Sequence, residues 1–264
     1  MAAYTCIRSE TRDGVALITL DRPQVLNAMN RQLWIDFEDA LDAARRDPAV
    51  KVLILTGEGR AFSSGADLKE SRDRSPDAYR AYLEGLQAAS RKVILFEKPT
   101  IAAINGYALG SGYELALACD IRIAAEDALI GSPEARVSSS VTGGAFRLLQ
   151  DLVGPGKASE LLFTARNIDG REAERIGLVN RAVPAEELLP TARAMAREIA
   201  GNAAFSLKMI KKGLRLAREP VSLEALMAYE IEACLACVVT GDRRQAMADF
   251  AERKEGSGKP DESR

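Results

Sequence analysis

The stretch that decides the fold reads PTIAAINGYALGSGYELALACDIRIA, from Pro99 to Ala124. Residues 100–104 are apolar and partly β-branched, which predicts a strand buried on both faces. Asn105-Gly106 and Gly110-Ser111-Gly112 follow, places where a backbone turns tightly and approaches a ligand closely. Residues 113–119 contain helix-forming Glu, Leu and Ala. The turn therefore delivers its last N–H groups to a helix start, which favours developing negative charge.

Glu114 sits in the first turn of that helix, and Glu134 follows in Gly131-Ser132-Pro133-Glu134. Two carboxylates beside an anion-stabilising helix start are a candidate acid/base pair. The same residues also have a plain reading. Ser111-Gly112-Tyr113-Glu114 is an S-x-x-E capping box, in which Ser111 and Glu114 satisfy each other's backbone donors, and Pro133-Glu134 is an ordinary loop dipeptide. Taken alone, these residues leave both readings open.

Composition narrows the chemistry. With 264 residues, 47% of them apolar, the chain can bury one large core, with or without a smaller helical appendage. A net charge of -2 and a pI near 5.6 give no basic footprint, so no nucleic-acid partner is expected. No apolar run approaches the roughly 18 to 20 residues that span a bilayer, and MAAYTCIRSE lacks a signal peptide's apolar segment. A cytoplasmic protein without a membrane partner is expected. Histidine is absent, which removes Ser-His and Cys-His nucleophile pairs and most zinc sites. No metal site is expected, and acid/base work falls to Glu, Asp, Lys, Tyr or Cys. Cys234 and Cys237 form a C-x-x-C, but in a helical pattern with no second such pair, so they read as small core or interface residues.

In chain order, residues 5–10 and 15–20 flank Arg12-Asp13-Gly14 as a hairpin. After a loop over 21–29, Asn30 is placed to cap a helix carrying Leu33, Phe37, Ala40, Leu41 and Ala44 on one face, ended by Asp47-Pro48. Residues 50–55 form a short strand and 56–60 a turn. Small residues over 61–70 again lead from a strand end toward a helix. The charged run 71–77 reads as a mobile surface segment or a lid, and 79–96 as a helix. Strand, turn and helix recur, the signature of an α/β fold, although no strict repeat length is visible. Beyond Glu134, residues 135–144 form a polar loop. Helical patterns cover 145–153, 155–163 and 171–176, and 179–183 is a brief strand. The rest is helical over 185–200, 203–218, 223–239 and 243–252, with a charged, frayed tail over 256–264.

These motifs together resemble the enoyl-CoA hydratase/isomerase (crotonase) family. The resemblance runs from the opening hairpin and DRPQVLNAM through SSGADLKE, NGYALGSGYELALACDI and SPEARV to TARNIDGREAERIGLVNRAVP and GDRRQAMADFAERK. It implies a crotonase-like spiral of ββα units over residues 1–195, with a helical C-terminal region over 196–264 that builds trimers, commonly paired into hexamers. It implies an acyl-CoA thioester as substrate, with coenzyme A part of that substrate rather than a separate cofactor. Two backbone N–H groups hold the thioester oxygen, mapping to Ala66 and to the residue three before Glu114, which is Ser111. Most relatives carry glycine at that second position, but serine offers the same N–H. Ala66, Asp67, Leu68 and Lys69 resemble the segment beside the CoA adenine and pantetheine, with Lys69 either facing phosphate or facing solvent.

By the same matching, Glu114 and Glu134 fall on the glutamates that hold and activate water, Glu134 as proton-delivering acid and Glu114 as water-binding base. The implied reaction is reversible hydration of a 2-enoyl-CoA. Double-bond isomerisation, dehydration of a hydroxyacyl-CoA or hydrolytic C–C cleavage on the same scaffold stand as alternatives, as does an acyl-CoA-binding or RNA-binding relative without chemistry. The retained glutamates oppose acyl-CoA binding without chemistry and the acidic pI opposes RNA binding. A dinucleotide loop at Gly106, Gly110 and Gly112 fails on spacing. The loop Val137-Ser138-Ser139-Ser140-Val141-Thr142-Gly143 departs from the Leu-Gly-hydrophobic-Pro-Gly type of straight-chain hydratases. That departure implies either a branched, cyclic, aromatic or hydroxylated acyl group or neutral variation.

Overall fold

Residues 4–71, 74–240, 243 and 247 are described by a computed structural model of the chain. Strand β5 (Thr100–Ile104) lies between β3 (Val52–Gly57) and β7 (Ile121–Ala125) and is buried throughout. Side chains alternate across a strand, so β5 serves two cores. Ile101 and Ala103 face one apolar cluster, and Ala102 and Ile104 the other. The sheet continues outward through β2 (Val15–Leu20) and β1 (Ile7–Arg12) on one side and β9 (Arg181–Val183) on the other. Only the β1–β2 hairpin is antiparallel. Its first strand begins at Ile7, two residues later than the sequence pattern suggested.

A second, three-stranded parallel sheet holds β4 (Ala61–Ser63), β6 (Tyr107–Leu109) and β8 (Ile130–Gly131). Each follows a strand of the large sheet and precedes helix. β3–β4 leads to α2 (Leu68–Ser71) and α3 (Pro76–Ile94), β5–β6 to α4 (Ser111–Ala118), and β7–β8 to α5 (Ala145–Thr164). These are the successive ββα turns that the resemblance implies. Gly154, at φ 77°, breaks α5 between the two helical patterns read from the sequence. Asn105 latches one turn to the previous one: its Oδ1 accepts from the Gly57 N–H at 3.2 Å and its Nδ2 donates to the Gly59 carbonyl at 2.8 Å. Beside it, a Cβ on Gly106 would stand 2.1 Å from the Arg60 carbonyl oxygen. Only glycine permits that approach.

Helix α1 (Arg31–Arg46) starts as expected, with the Asn30 side chain accepting from the Leu33 N–H. It packs Leu33, Phe37, Ala40 and Leu41 into the core between the layers. The charged run after α2 is corrected in part. Ser75 caps α3 and Pro76 opens it, because a serine oxygen and a ring-fixed φ both suit a helix start; residues 72 and 73 of that run lie outside the described residues.

After α6 (Gly170–Arg175), α7 (Leu188–Ala200) covers the outer face of the large sheet with Leu188, Ala192, Ala196 and Ala200. Small residues one turn apart let this helix lie close to the strands. The division expected at 195/196 thus falls inside a single packed helix. Helices α8 (Ala204–Leu216) and α9 (Leu223–Val239) form a separate hairpin, joined by the Tyr229 hydroxyl donating to the Met209 carbonyl at 2.8 Å. Buried Lys211 ties α8 to the sheet: its Nζ lies 2.7 Å from Asp120 Oδ2 and donates to the Lys98 carbonyl at 2.9 Å. The same Asp120 oxygen accepts from the Thr100 N–H and hydroxyl. The helix expected over 243–252 and the tail over 256–264 lie outside the described residues, apart from Arg243 and Met247.

The close approach at Gly106 makes a direct prediction. Gly106→Ala should lower the free energy of unfolding by about 1–3 kcal/mol, the usual cost of forcing an extra methyl into a packed site. A denaturant titration of variant and parent reads this, and an unchanged midpoint would show that the turn yields without cost.

Candidate active site

Helix α4 is buried along its whole length, Glu114 included at 3% exposure. Its N-cap is Gly110, at φ 52° and ψ -125°, and no side chain caps it. The capping-box reading of Ser111 and Glu114 is therefore corrected. Ser111 is the first helical residue, and the Glu114 carboxylate has a tertiary partner instead. Thr142 donates its N–H to Glu114 Oε1 at 2.5 Å and its hydroxyl to Oε2 at 2.7 Å. Burial raises the Glu114 pKa above the usual carboxylate range; the two Thr142 hydrogen bonds oppose that rise and the nearby charge of Glu134 adds to it.

Glu134 opens a 3-10 helix over Glu134–Val137, directly after β8, and is half-buried. Its Oε2 accepts from the Ser132 hydroxyl. Its Oε1 reaches over the start of α4, since a Cβ on Gly110 would stand 2.8 Å from it. The two glutamates, which the sequence placed on separate segments, thus meet at one end of α4.

The Gly65-Ala66-Asp67 segment approaches the same point from β4. It forms a parallel bridge to Met29, using the Gly65 carbonyl (2.8 Å from the Met29 N) and the Asp67 N–H (3.1 Å to the Met29 carbonyl). A parallel bridge takes groups on either side of the central residue, which turns the Ala66 N–H away from Met29. Neither that N–H nor the Ser111 N–H bonds another described residue. They belong to adjoining backbones: a Cβ on Gly65 would lie 3.3 Å from the Ser111 N and 3.5 Å from the Gly110 Cα. Two unpaired donors, one of them at a helix N-terminus, suit an oxygen that gains negative charge.

The remaining residues singled out from sequence differ in what they offer. The Asp67 carboxylate is taken by Arg22 at 3.1 Å, its N–H by the Met29 carbonyl and its own carbonyl by the Glu70 N–H. Leu68 and Lys69 are exposed on α2. Cys234 and Cys237 are free thiols on α9. Sequence reading missed the hydroxyl partners Thr142 and Ser132; the one available signal was a Ser or Thr in the same loops as the carboxylates.

Comparison with known proteins agrees over nearly the full chain. The enoyl-CoA hydratase/isomerase family profile matches residues 10–258. A crotonyl-CoA hydratase from Syntrophomonas wolfei is 37% identical, over 97% of this chain and 98% of its own. A short-chain-enoyl-CoA hydratase from Clostridium acetobutylicum is also 37% identical, over 94% and 95%. The crystal structure of an enoyl-CoA hydratase from Bacillus anthracis superposes with a TM-score of 0.91 at 33% identity, covering 94% of this chain and 97% of that one. On fold, ordered motifs and full-length similarity alike, the chain belongs to the enoyl-CoA hydratase/isomerase family.

Proposed function

We propose that this protein is an enoyl-CoA hydratase, adding water reversibly across the 2,3 double bond of an enoyl-CoA thioester. The observation that carries the reading is the convergence of Glu114 and Glu134 at the end of α4 that also presents the free Ser111 N–H beside Ala66. The thioester oxygen sits between the Ala66 and Ser111 N–H groups, which stabilise the charge it acquires as water adds. Water bound between the carboxylates attacks C3. Glu114 takes the proton that water loses, and Glu134 gives a proton to C2, so the product is a 3-hydroxyacyl-CoA and the pair has exchanged one proton. A raised pKa makes Glu114 a stronger base than an exposed glutamate. The Ala66–Lys69 backbone borders the CoA moiety. Isomerisation needs only one shuttling base; the presence of two supported carboxylates favours hydration.

The helical hairpin is the proposed trimer contact. Leu223, Met227, Ile231 and Leu235 recur at one-turn spacing on α9 and are each more than half exposed, and Ile210 and Leu214 on α8 add to them. A contiguous apolar surface of this kind is unusual on a monomer.

Three groups of expected outcomes test these assignments, on the glutamates, on the Ser111 donor and on assembly. With crotonyl-CoA, loss of the conjugated-thioester absorbance should report hydration, and a 3-enoyl-CoA should give little gain of that absorbance. Glu114→Gln and Glu134→Gln should each lower turnover by about 10²-fold or more. Because burial raises the Glu114 pKa, this group supports the fold most when protonated and loses that contribution as pH rises through the raised value. Glu114→Gln should therefore unfold at a higher temperature than the parent at neutral pH, with the gap closing under acid. Second, proline tolerates the first position of a helix, so Ser111→Pro removes one donor and should cost about 10²–10³ in kcat with the circular dichroism retained. Full activity in that variant would exclude the Ser111 N–H. Third, Ile231→Glu with Leu235→Glu should reduce the mass seen by light scattering from trimer or hexamer to monomer, and an unchanged mass would move the contact elsewhere.

A further inference from the structure

Glu114 is held by a single residue far along the chain, and by both of its oxygens. Thr142 reaches it from the loop before α5, with its N–H on Oε1 at 2.5 Å and its hydroxyl on Oε2 at 2.7 Å. That loop is fixed from two other sides. The Thr142 carbonyl accepts from the Ala145 N–H at 2.9 Å at the start of α5. Gly143, at φ 59°, is pressed against α3 and α4, where a Cβ would stand 2.9 Å from Ser90 Oγ and 3.4 Å from Glu114 Cβ.

We infer that Thr142 is a positioning residue for Glu114, its backbone and hydroxyl together fixing the carboxylate in one orientation while the hydroxyl follows its change of protonation. The inference rests on the reading of Glu114 as the base. An N–H can only donate, whereas a hydroxyl either donates or accepts. When Glu114 is ionised, both Thr142 groups donate to it. When Glu114 has taken the proton from water, Oε1 goes on accepting from the N–H, the proton resides on Oε2, and the hydroxyl rotates to accept it. No bond to carbon is involved, and the proton leaves Oε2 by the same route. Valine has the shape of threonine without that switch.

The charged surroundings of Glu114 are simple. Glu134, from the 3-10 helix after β8, is the charged group that acts on it among the described residues. The neighbouring elements bring uncharged groups: Ser90 from α3, Ser63 from β4 against Gly112, and Ala145 from α5. Thr142 is the group that lowers the Glu114 pKa against the effect of burial, so its hydroxyl has a readout in pH dependence that a merely structural contact would lack.

The test compares parent, Thr142→Ser and Thr142→Val in the pH dependence of crotonyl-CoA hydration, alongside a carboxyl ¹³C NMR titration of Glu114 assigned with Glu114→Gln. Losing one hydrogen bond to a charged group corresponds to about tenfold or more in rate and about one pH unit in the titration. Thr142→Val should show both, with its acid limb and its Glu114 titration moved to higher pH, and Thr142→Ser should stay within about threefold of the parent. The inference is overturned if folded Thr142→Val keeps the parent's limb and titration, or if Thr142→Ser loses as much as Thr142→Val. Thr142→Ala serves in place of Thr142→Val if the latter fails a thermal-unfolding check, under the same two criteria. A parent that hydrates no enoyl-CoA would reject the proposed reaction, while the NMR titration would still decide whether Thr142 governs Glu114.

Discussion

Successive turns of the coil touch backbone to backbone at their glycines, and the site depends on that closeness. A Cβ on Gly112 would stand 2.5 Å from the Ser63 carbonyl oxygen, one on Gly65 2.7 Å from that of Leu109, and one on Gly106 2.1 Å from that of Arg60. The Ala66 and Ser111 N–H groups come from two consecutive turns, so their separation is set by how the turns stack rather than by any side-chain rotamer. A pair of donors built in this way needs no reorganisation when charge develops between them.

The acidic half of the site is built on the opposite principle. Glu114 is buried on a helix that is itself buried along its whole length, an environment that opposes its charged form. Thr142 and Ser132 bring hydroxyl donors to the two carboxylates from loops. Backbone sets the positions of the two unpaired N–H donors, and side chains tune the surroundings of the two carboxylates. The first is intolerant of added volume, and the second is sensitive to small changes in hydrogen bonding.

Much of this was legible in the sequence, for reasons that differ between elements. β5 stands out because a strand covered on both faces is apolar at every position, and α1 because its cap and its apolar stripe agree. The strands β4, β6 and β8 were not seen: at two or three residues each they are too short for alternation to register. The S-x-x-E pattern at Ser111 misled because a local motif competes with tertiary partners, and here a threonine 28 residues away takes the carboxylate. The hydroxyl partners themselves were not legible, since nothing in a serine or threonine encodes which distant acceptor it will meet. The residues themselves offered Glu114 and Glu134 as a candidate pair but left the capping reading open, and the family resemblance decided between the two.

The link from Lys211 through Asp120 to Thr100 bears on how the terminal hairpin relates to the rest of the molecule. Lys211 is the buried residue of α8, and the oxygen that neutralises it also holds the first residue of β5. The hairpin is thus keyed by a charge to the entrance of the strand that runs on into the turn before α4. A chain shortened before α8 would leave an acidic oxygen without its counter-ion at that entrance, so the hairpin and the foundation of the site share a common footing rather than occupying separable modules.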